Sequence, residues 1–347
     1  DLKDKDGKPY KEKVKNTAWN KHLPFPDNIM RWSRLQWGKT FSEIGKDSKG
    51  HPHYGWKQDA RKHHALNILI QWAVLVLGYN LIAHLFGQKL ALYSMLIFAV
   101  HPCGVQTIAW ISGINYLLSL LGALLTFNAV LYIHNLYILF PIVILTSVLS
   151  CMTLLPGCFN FIILILLGYY NAAIPAAIIG LIFMLHIGRK TVNYRVAAFK
   201  EQKMEASTKI YWRKLILMVK TFWYYVKLVL FPKRLGLFHT WNYHFPETAN
   251  YIDREFWAGF LSLISYGSLI YFCPFPVKFG LIWAFIYFLT FSNFITAQQF
   301  VSERYIFISN FGISIVLAYG LLNYPIFLAF LLGIYIMRVW VHLPTFQ

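Results

Sequence analysis

Long apolar runs separated by short polar breaks dominate the chain from about residue 64 onward, whereas residues 1–63 are polar and rich in lysine. A helix needs about 20 apolar residues to cross the hydrocarbon core of a bilayer. By this measure the pattern predicts about ten transmembrane helices. They cover residues 65–86, 90–100, 106–133, 136–154, two short helices within 159–187, 256–272, 279–297, 305–321 and 326–340.

The run at 159–187 is too long for one straight span. We interpret it as two short helices with a tight turn at Tyr170 and Asn171, because a single helix would overshoot the bilayer. One helix kinked near Pro175 is the alternative.

Two further segments are amphipathic. Residues 29–41 have apolar side chains at helical spacing and predict a short helix lying on the bilayer surface, followed by a loop at 43–62. Residues 211–231 are apolar but carry four basic residues, a density of charge that a buried span would not accept. We therefore expect 211–231 to lie flat in the membrane interface with its aromatic face toward the lipid.

Composition agrees with a membrane protein. Of the 347 residues 57% are hydrophobic and 13% charged, whereas soluble domains have about 25% charged residues. The formal charge of +18 comes from basic residues that flank apolar runs. These residues favour lipid head groups or a phosphate-bearing substrate over nucleic acid, although ordinary interfacial anchoring explains any single lysine. The four cysteines include no Cys-x-x-Cys pair, so neither a metal site nor a disulfide framework is indicated.

One polar stretch interrupts this pattern at residues 101–118 (HPCGVQTIAWISGINYLL). No Asp or Glu occurs between Ala60 and Lys200, so these polar groups stand out. Burying a polar group at membrane depth costs roughly several kcal/mol of free energy, unless the group finds a hydrogen-bond partner or water. The stretch is therefore either a simple corner between helices at the membrane surface or part of a polar site.

A second polar stretch contains Glu303, the one acid in residues 256–347, next to Arg304. A planar guanidinium can donate two parallel hydrogen bonds to a phosphate and keeps its charge, so Arg304 is a candidate phosphate ligand. A salt bridge at a helix end is the alternative interpretation.

Four stretches in order resemble the GT-C class of membrane glycosyltransferases. They are most similar to the transmembrane O-mannosyltransferases with tetratricopeptide repeats and their bacterial relatives. The stretches are residues 63–70 (HHALNILI), 101–118, 231–237 (FPKRLGL) and 302–309 (SERYIFIS).

The resemblance implies an enzyme that moves a mannose-like sugar from a polyprenyl (dolichyl or undecaprenyl) phosphate to a hydroxyl of a protein or glycan. The reaction takes place on the extracytoplasmic face, and an acid in the first loop acts as base. The doubled Asp of the family has no clear match in this chain, and Asp27 is the best candidate for that acid, with Asp47 and Asp59 behind it. Implied substrate-binding residues are His101, Gln106, Asn115, Arg234, Glu303, Arg304 and Tyr305.

Three departures from the family pattern keep a second interpretation open. Gln106 stands where the family has Glu, Asn115 stands where it has Arg, and the residues at 150–153 lack the charges of the family. The chain is thus either a glycosyltransferase or an inactive protein of the same fold that scaffolds a membrane assembly. A channel or transporter is disfavoured, because cation pathways usually need carboxylates within the spans.

With the resemblance included, the predicted architecture is an all-α, multi-pass integral membrane protein of the endoplasmic reticulum or the bacterial inner membrane. Membrane lipids, a lipid-linked sugar and an acceptor are the expected partners. A further helix is expected before Asp1. The predicted segments are an extracytoplasmic loop with an interfacial helix (1–63), a transmembrane block (64–187), a second extracytoplasmic loop with an interfacial amphipathic helix (188–255) and C-terminal transmembrane helices (256–340). Residues 341–347 are predicted to start a C-terminal region, for which the resemblance implies tetratricopeptide repeats.

Overall fold

The computed structural model describes residues 39–46, 52–58, 60–110, 113–153, 155–185, 210–230, 232, 252–292 and 302–342. The chain divides into two compact units, one ending at Gln58 and the other beginning at Asp59. The strands that are described belong to the first unit and the helices to the second.

The first unit contains an antiparallel hairpin of β1 (Lys39–Lys46) and β2 (Pro52–Gln58). Lys39 pairs with Gln58, and the register shifts by one residue between Glu43 and Gly45, as in a β-bulge. The predicted helix at 29–41 is therefore wrong over its last three residues, and the predicted loop at 43–62 is wrong where β1, β2 and a helix occupy it. Residues 29–38 lie outside the described part of the chain.

The described part of the second unit is helical, as predicted for the apolar region. Its helices are α1 (Ala60–Phe86), α2 (Gln88–Val100), α3 (Val105–Ala109), α4 (Ile114–Tyr132), α5 (Leu136–Thr153), α6 (Asn160–Leu166), α7 (Tyr170–Phe183), α8 (Ile210–Leu230), α9 (Arg254–Phe272), α10 (Phe275–Leu289), α11 (Phe307–Gly320) and α12 (Pro325–His342). Short 3₁₀ turns at Pro102–Gly104, Leu155–Phe159 and Glu303–Ile306 precede α3, α6 and α11.

By length and composition two of the described helical segments, Arg61–Phe86 and Ile114–Tyr132, are long and apolar enough to cross a membrane. A third candidate is the pair α2 and Pro102–Ala109, bent by 58°, if the pair forms one broken span. Several shorter apolar helices accompany them. These helices fit a membrane protein.

The run at 106–133 is broken, contrary to the expected single span. Trp110 adopts an extended conformation after α3, and α4 begins only at Ile114. Gly113 lies close to the backbone of α3, because a Cβ there would collide with the carbonyl group of Thr107. The break is therefore built around close backbone contact, which a larger residue would prevent.

The predicted division of 159–187 into two helices is confirmed. Helix α6 ends at Leu166 and α7 starts at Tyr170, so the break lies slightly before the expected turn. Gly168, with φ of +82°, terminates α6 in a left-handed conformation that favours glycine. Pro175 lies inside α7 and does not divide it.

The core of the second unit is formed by α1, α2, α4, α10 and α11 around large buried side chains such as Trp283, Phe127 and Phe311. Helices α10 and α11 cross at Gly280 and Gly312, where a Cβ on either residue would collide with the carbonyl oxygen of the other. Small residues at a crossing let two backbones approach, and this close packing fixes the start of α11 beside α10.

A buried polar network joins α4, α5, α6 and α10. The hydroxyl groups of Ser119 and Ser150 exchange hydrogen bonds with each other's carbonyl oxygens at 3.2 and 2.8 Å. The amide of Asn160 donates to Ser150 Oγ at 3.1 Å and its Oδ1 accepts from the hydroxyl of Tyr287 at 2.5 Å. Bonded in this way, polar groups can lie in an apolar core at little cost.

Candidate functional site

The break at 101–109 is held in place by the ring of His101, which is 1% exposed. Its Nδ1 accepts a hydrogen bond from the Cys103 N–H at 3.3 Å, and its Nε2 lies 3.3 Å from the carbonyl oxygen of Val229. A carbonyl oxygen only accepts, so Nε2 carries the proton and the imidazole is neutral. The ring also packs edge-on against Tyr335, with centroids 4.8 Å apart.

These contacts give His101 a structural task. Both ring nitrogens are engaged with the backbone, one near its own turn and the other at the end of α8. The expectation from sequence placed His101 at the lining of a sugar pocket. The structure places it in packed surroundings, where it joins the turn after α2 to α8.

Gln106 connects the two polar stretches of the sequence. Its side chain is completely buried, and its Oε1 accepts hydrogen bonds from Ser302 Oγ and the Arg304 N–H, both at 3.1 Å. Tyr225 on α8 holds the other side of Ser302, accepting from its N–H at 3.1 Å and donating to its carbonyl oxygen at 3.3 Å. Residues almost 200 positions apart are thereby fixed in one site.

Arg304 extends from this junction to an aromatic surface. The carbon of its guanidinium lies 4.5 Å from the ring centroid of Trp110 and 5.4 Å from that of Tyr305. Tyr305 in turn stacks flat on Phe291 at 4.6 Å. Both Arg304 and Trp110 remain partly exposed, whereas Glu303 beside them is completely buried. The cation–π contacts therefore direct the guanidinium of a residue that is partly exposed as a whole.

Asn67 on α1 holds the segment that carries Trp110. The amide nitrogen of Asn67 donates to the carbonyl oxygens of Ile108 and Trp110, at 3.1 and 3.2 Å. These carbonyls end α3, where the helix leaves them without intrahelical partners. Asn115, another residue named from sequence, lies partly exposed at the start of α4.

Of the residues named from sequence, the structure brings Gln106, Glu303, Arg304 and Tyr305 together, whereas His101 bonds to the end of α8. Sequence reasoning missed Tyr225, because nothing in the local pattern of α8 marks that tyrosine as a partner of Ser302. Asn67 was detectable, because it is a polar residue inside an apolar run.

The other sequence candidates, Asp27, Asp47, Asp59 and Arg234, lie outside the described residues. Among the residues that are described, no group of three or more His, Cys, Asp or Glu is arranged to hold a metal ion.

A buried charge lies on α8. The Lys220 side chain is completely enclosed, and its Nζ is 2.8 Å from Asp253 Oδ2. The expectation that 211–231 keeps its charges out of the interior is therefore wrong for Lys220. The aromatic face of α8 also packs on protein. The ring centroid of Phe222 lies 5.4 Å from that of Tyr266 and 5.3 Å from that of Phe288.

The chain gives no match to any protein-family model, curated protein or solved structure in the three comparisons that were made.

Proposed function

We propose that this protein is a multi-pass membrane glycosyltransferase of GT-C-like fold with about ten transmembrane helices. It transfers a mannose-like sugar from a polyprenyl phosphate to a protein or glycan hydroxyl on the extracytoplasmic face. The observation that carries the proposal is the bonding of Ser302 and Arg304 to Gln106, which unites the two stretches that resemble this class. A motif pair that meets in space is better support than either stretch alone.

In the proposed reaction the acceptor oxygen attacks the anomeric carbon of the sugar. The bond from that carbon to the phosphate oxygen breaks, and the phosphate leaves with the electron pair. Arg304 stabilises the charge that develops on the phosphate, since its fork suits phosphate oxygens. Trp110 limits the positions that the guanidinium can adopt. A carboxylate of the first loop, Asp27 in this proposal with Asp47 and Asp59 as the other candidates, takes the hydroxyl proton.

Gln106 has a positioning role in this scheme. A neutral amide oxygen accepts from Ser302 and from the Arg304 backbone without adding a negative charge near the phosphate. Asn115, Arg234, Glu303 and Tyr305 complete the proposed substrate-binding set.

The test is sugar transfer by the purified full chain from a radiolabelled polyprenyl-phosphate mannose. Arg304→Ala should lower kcat by at least about tenfold, because a charge-assisted phosphate contact is worth about 1.5–3 kcal/mol. Arg304→Lys should restore only part of the rate, since it keeps the charge and loses the fork. Asp27→Asn, Asp47→Asn and Asp59→Asn identify the base.

Lys89→Ala is the matched control, because Lys89 also lies over an aromatic ring, that of Tyr93 at 5.9 Å. Its rate should equal that of the wild type. Absence of transfer by the wild type from mannosyl, glucosyl and galactosyl donors would refute the enzyme proposal.

A second candidate is an inactive scaffold of the same fold. It is favoured by the burial of His101 and Gln106, whose hydrogen bonds to Val229 and Ser302 link distant parts of the chain. A wild type that transfers no sugar, but whose stability falls on replacement of either residue, supports this alternative.

A further inference from the structure

A stripe of buried polar side chains runs along the first long helix. His63, Asn67 and Gln71 on α1 are spaced by four residues and are 8%, 1% and 7% exposed. Residues four apart share a helix face, so the three side chains point the same way. In a helix that is mostly apolar and long enough to span a bilayer, such a stripe needs polar partners.

Asn67 identifies what this face turns toward. Its Nδ2 bonds to the carbonyl oxygens of Ile108 and Trp110 at the end of α3. Gln71 lies one helical turn further along α1. Thr107, which is completely buried, immediately precedes Ile108. Gln71 and Thr107 therefore both lie within about one turn of the Asn67–Ile108 contact.

These side chains retain unused hydrogen-bonding capacity. Within the described residues, Gln71 Oε1 and Nε2, Thr107 Oγ1 and Asn67 Oδ1 are buried with no hydrogen-bond partner. Native proteins bond nearly all such groups, with protein, water or a ligand. The same chain bonds both polar atoms of Asn160, another buried amide. Some buried atoms elsewhere in the described residues, such as both amide atoms of Asn310, share this open capacity, but Asn67, Gln71 and Thr107 are grouped near one contact between α1 and α3.

The chemistry of the open groups defines the ligand. Two amides and a hydroxyl offer both donors and acceptors and carry no charge. A phosphate would need cations, whereas sugar hydroxyls match a mixed set of neutral donors and acceptors. Trp110, three residues after Thr107, is partly exposed. Ligand pockets typically combine apolar or aromatic walls with a few fixed polar groups, so Trp110 suits the wall of such a pocket.

We propose that Asn67, Gln71 and Thr107 form a subsite that binds the hydroxyl groups of a neutral sugar. The subsite lies along α1 beside the end of α3, where Asn67 bonds to the carbonyl oxygens of Ile108 and Trp110. The inference rests on the proposed function, because it supplies the sugar-binding half of a site whose phosphate-binding half is Arg304.

The test uses the full chain purified in a mild maltoside-free detergent and the variant Gln71→Leu. Thermal unfolding is followed with octyl mannoside added, and separately with an octyl polyoxyethylene ether at the same concentration. The mannoside should raise the Tm of the wild type by about 2–4 °C more than the ether does. Gln71→Leu should lose this difference, while its Tm without additive equals or exceeds that of the wild type, because a buried unbonded amide is gone.

The matched control is Asn160→Leu, which removes a buried amide that is fully bonded. This variant should unfold at lower temperature and keep the difference between mannoside and ether. Equal Tm values of the wild type in mannoside and ether would mean that the subsite holds water only and would overturn the proposal. Retention of the full difference by Gln71→Leu would overturn it as well.

The outcome is separable from that of the transfer assay. An active enzyme without a mannoside effect would refute the subsite and leave the proposed reaction standing. A mannoside effect without transfer would refute the reaction and leave the sugar subsite. If both succeed, Gln71→Leu should raise KM about tenfold, as expected for the loss of a ligand hydrogen bond.

Discussion

Gln106 and Ser302, 196 positions apart in the sequence, share a hydrogen bond of 3.1 Å in completely buried surroundings. The amide oxygen of Gln106 accepts from the Ser302 hydroxyl and, at the same distance, from the backbone of Arg304. One side chain thereby joins α3 to the turn before α11. The position of Arg304 beside Trp110 depends on this junction.

We expect Gln106→Leu to destabilise the protein by about 2–4 kcal/mol, because the Ser302 hydroxyl and the Arg304 backbone N–H lose their acceptor. Thermal unfolding of the purified protein measures the effect. Gln106→Glu keeps an acceptor oxygen and should lose less. Ser265→Ala, which removes an exposed hydroxyl bonded within α9, is the control and should leave Tm unchanged. Equal stability of Gln106→Leu and the wild type would contradict the junction.

Gly312→Ala should destabilise the protein by about 1–3 kcal/mol, the usual cost of overpacking, because the added methyl group meets the Gly280 carbonyl on α10. Gly267→Ala is the matched control, since a Cβ at Gly267 in α9 has no heavy atom within 4 Å. That change should be neutral or stabilise the helix by up to about 1 kcal/mol. Equal unfolding temperatures of the two variants would show that α10 and α11 do not cross at these glycines.

Tyr287→Phe should cost about 1–3 kcal/mol, because it leaves Asn160 Oδ1 buried without its donor. The ring remains, so packing is preserved and the loss reports the hydrogen bond. Tyr271→Phe removes the hydroxyl of a tyrosine that is 74% exposed and should have no effect on Tm. A Tyr287→Phe variant as stable as Tyr271→Phe would rule out this bond.

The ion pair of Lys220 and Asp253 predicts a dependence of stability on pH. Partial burial would raise the pKa of Asp253, but the Lys220 ammonium and the Phe256 N–H outweigh it, and the pKa lies below its ordinary value. A lowered folded-state pKa means that the carboxylate stabilises the protein above its unfolded pKa. This contribution is lost as pH falls through the folded value.

Asp253→Asn should therefore lower Tm at pH 7 and flatten the decline of Tm toward acid. We expect the free energy of unfolding to fall by about 1–3 kcal/mol. This is less than for a fully buried ion pair, because the Asp253 side chain is 45% exposed. Glu255→Gln is the control, since its partner Lys227 is 3.5 Å away and both side chains are about two-fifths exposed. An unchanged pH profile for Asp253→Asn would refute the assignment.

The apolar runs predicted most of the helices, because burial in lipid or a core demands apolar side chains locally and the demand is visible in the sequence. The division of α6 from α7 was predictable for the same reason, since length alone forbade one helix. The hairpin of β1 and β2 was missed, because strand formation depends on a partner strand and residues 39–58 do not alternate clearly.

By itself the sequence determined the helical apolar architecture of the region beginning at Ala60 and marked 101–118 and 302–309 as polar exceptions. Only the tertiary structure decided what these exceptions do: it bonds Gln106 to Ser302, places Arg304 over Trp110, seals His101 against α8 and encloses Lys220 beside Asp253. Hydrophobic patterning is a local property of the chain. The pairing of buried polar groups depends on which distant segments meet, and local sequence does not encode that in a form that can be read directly.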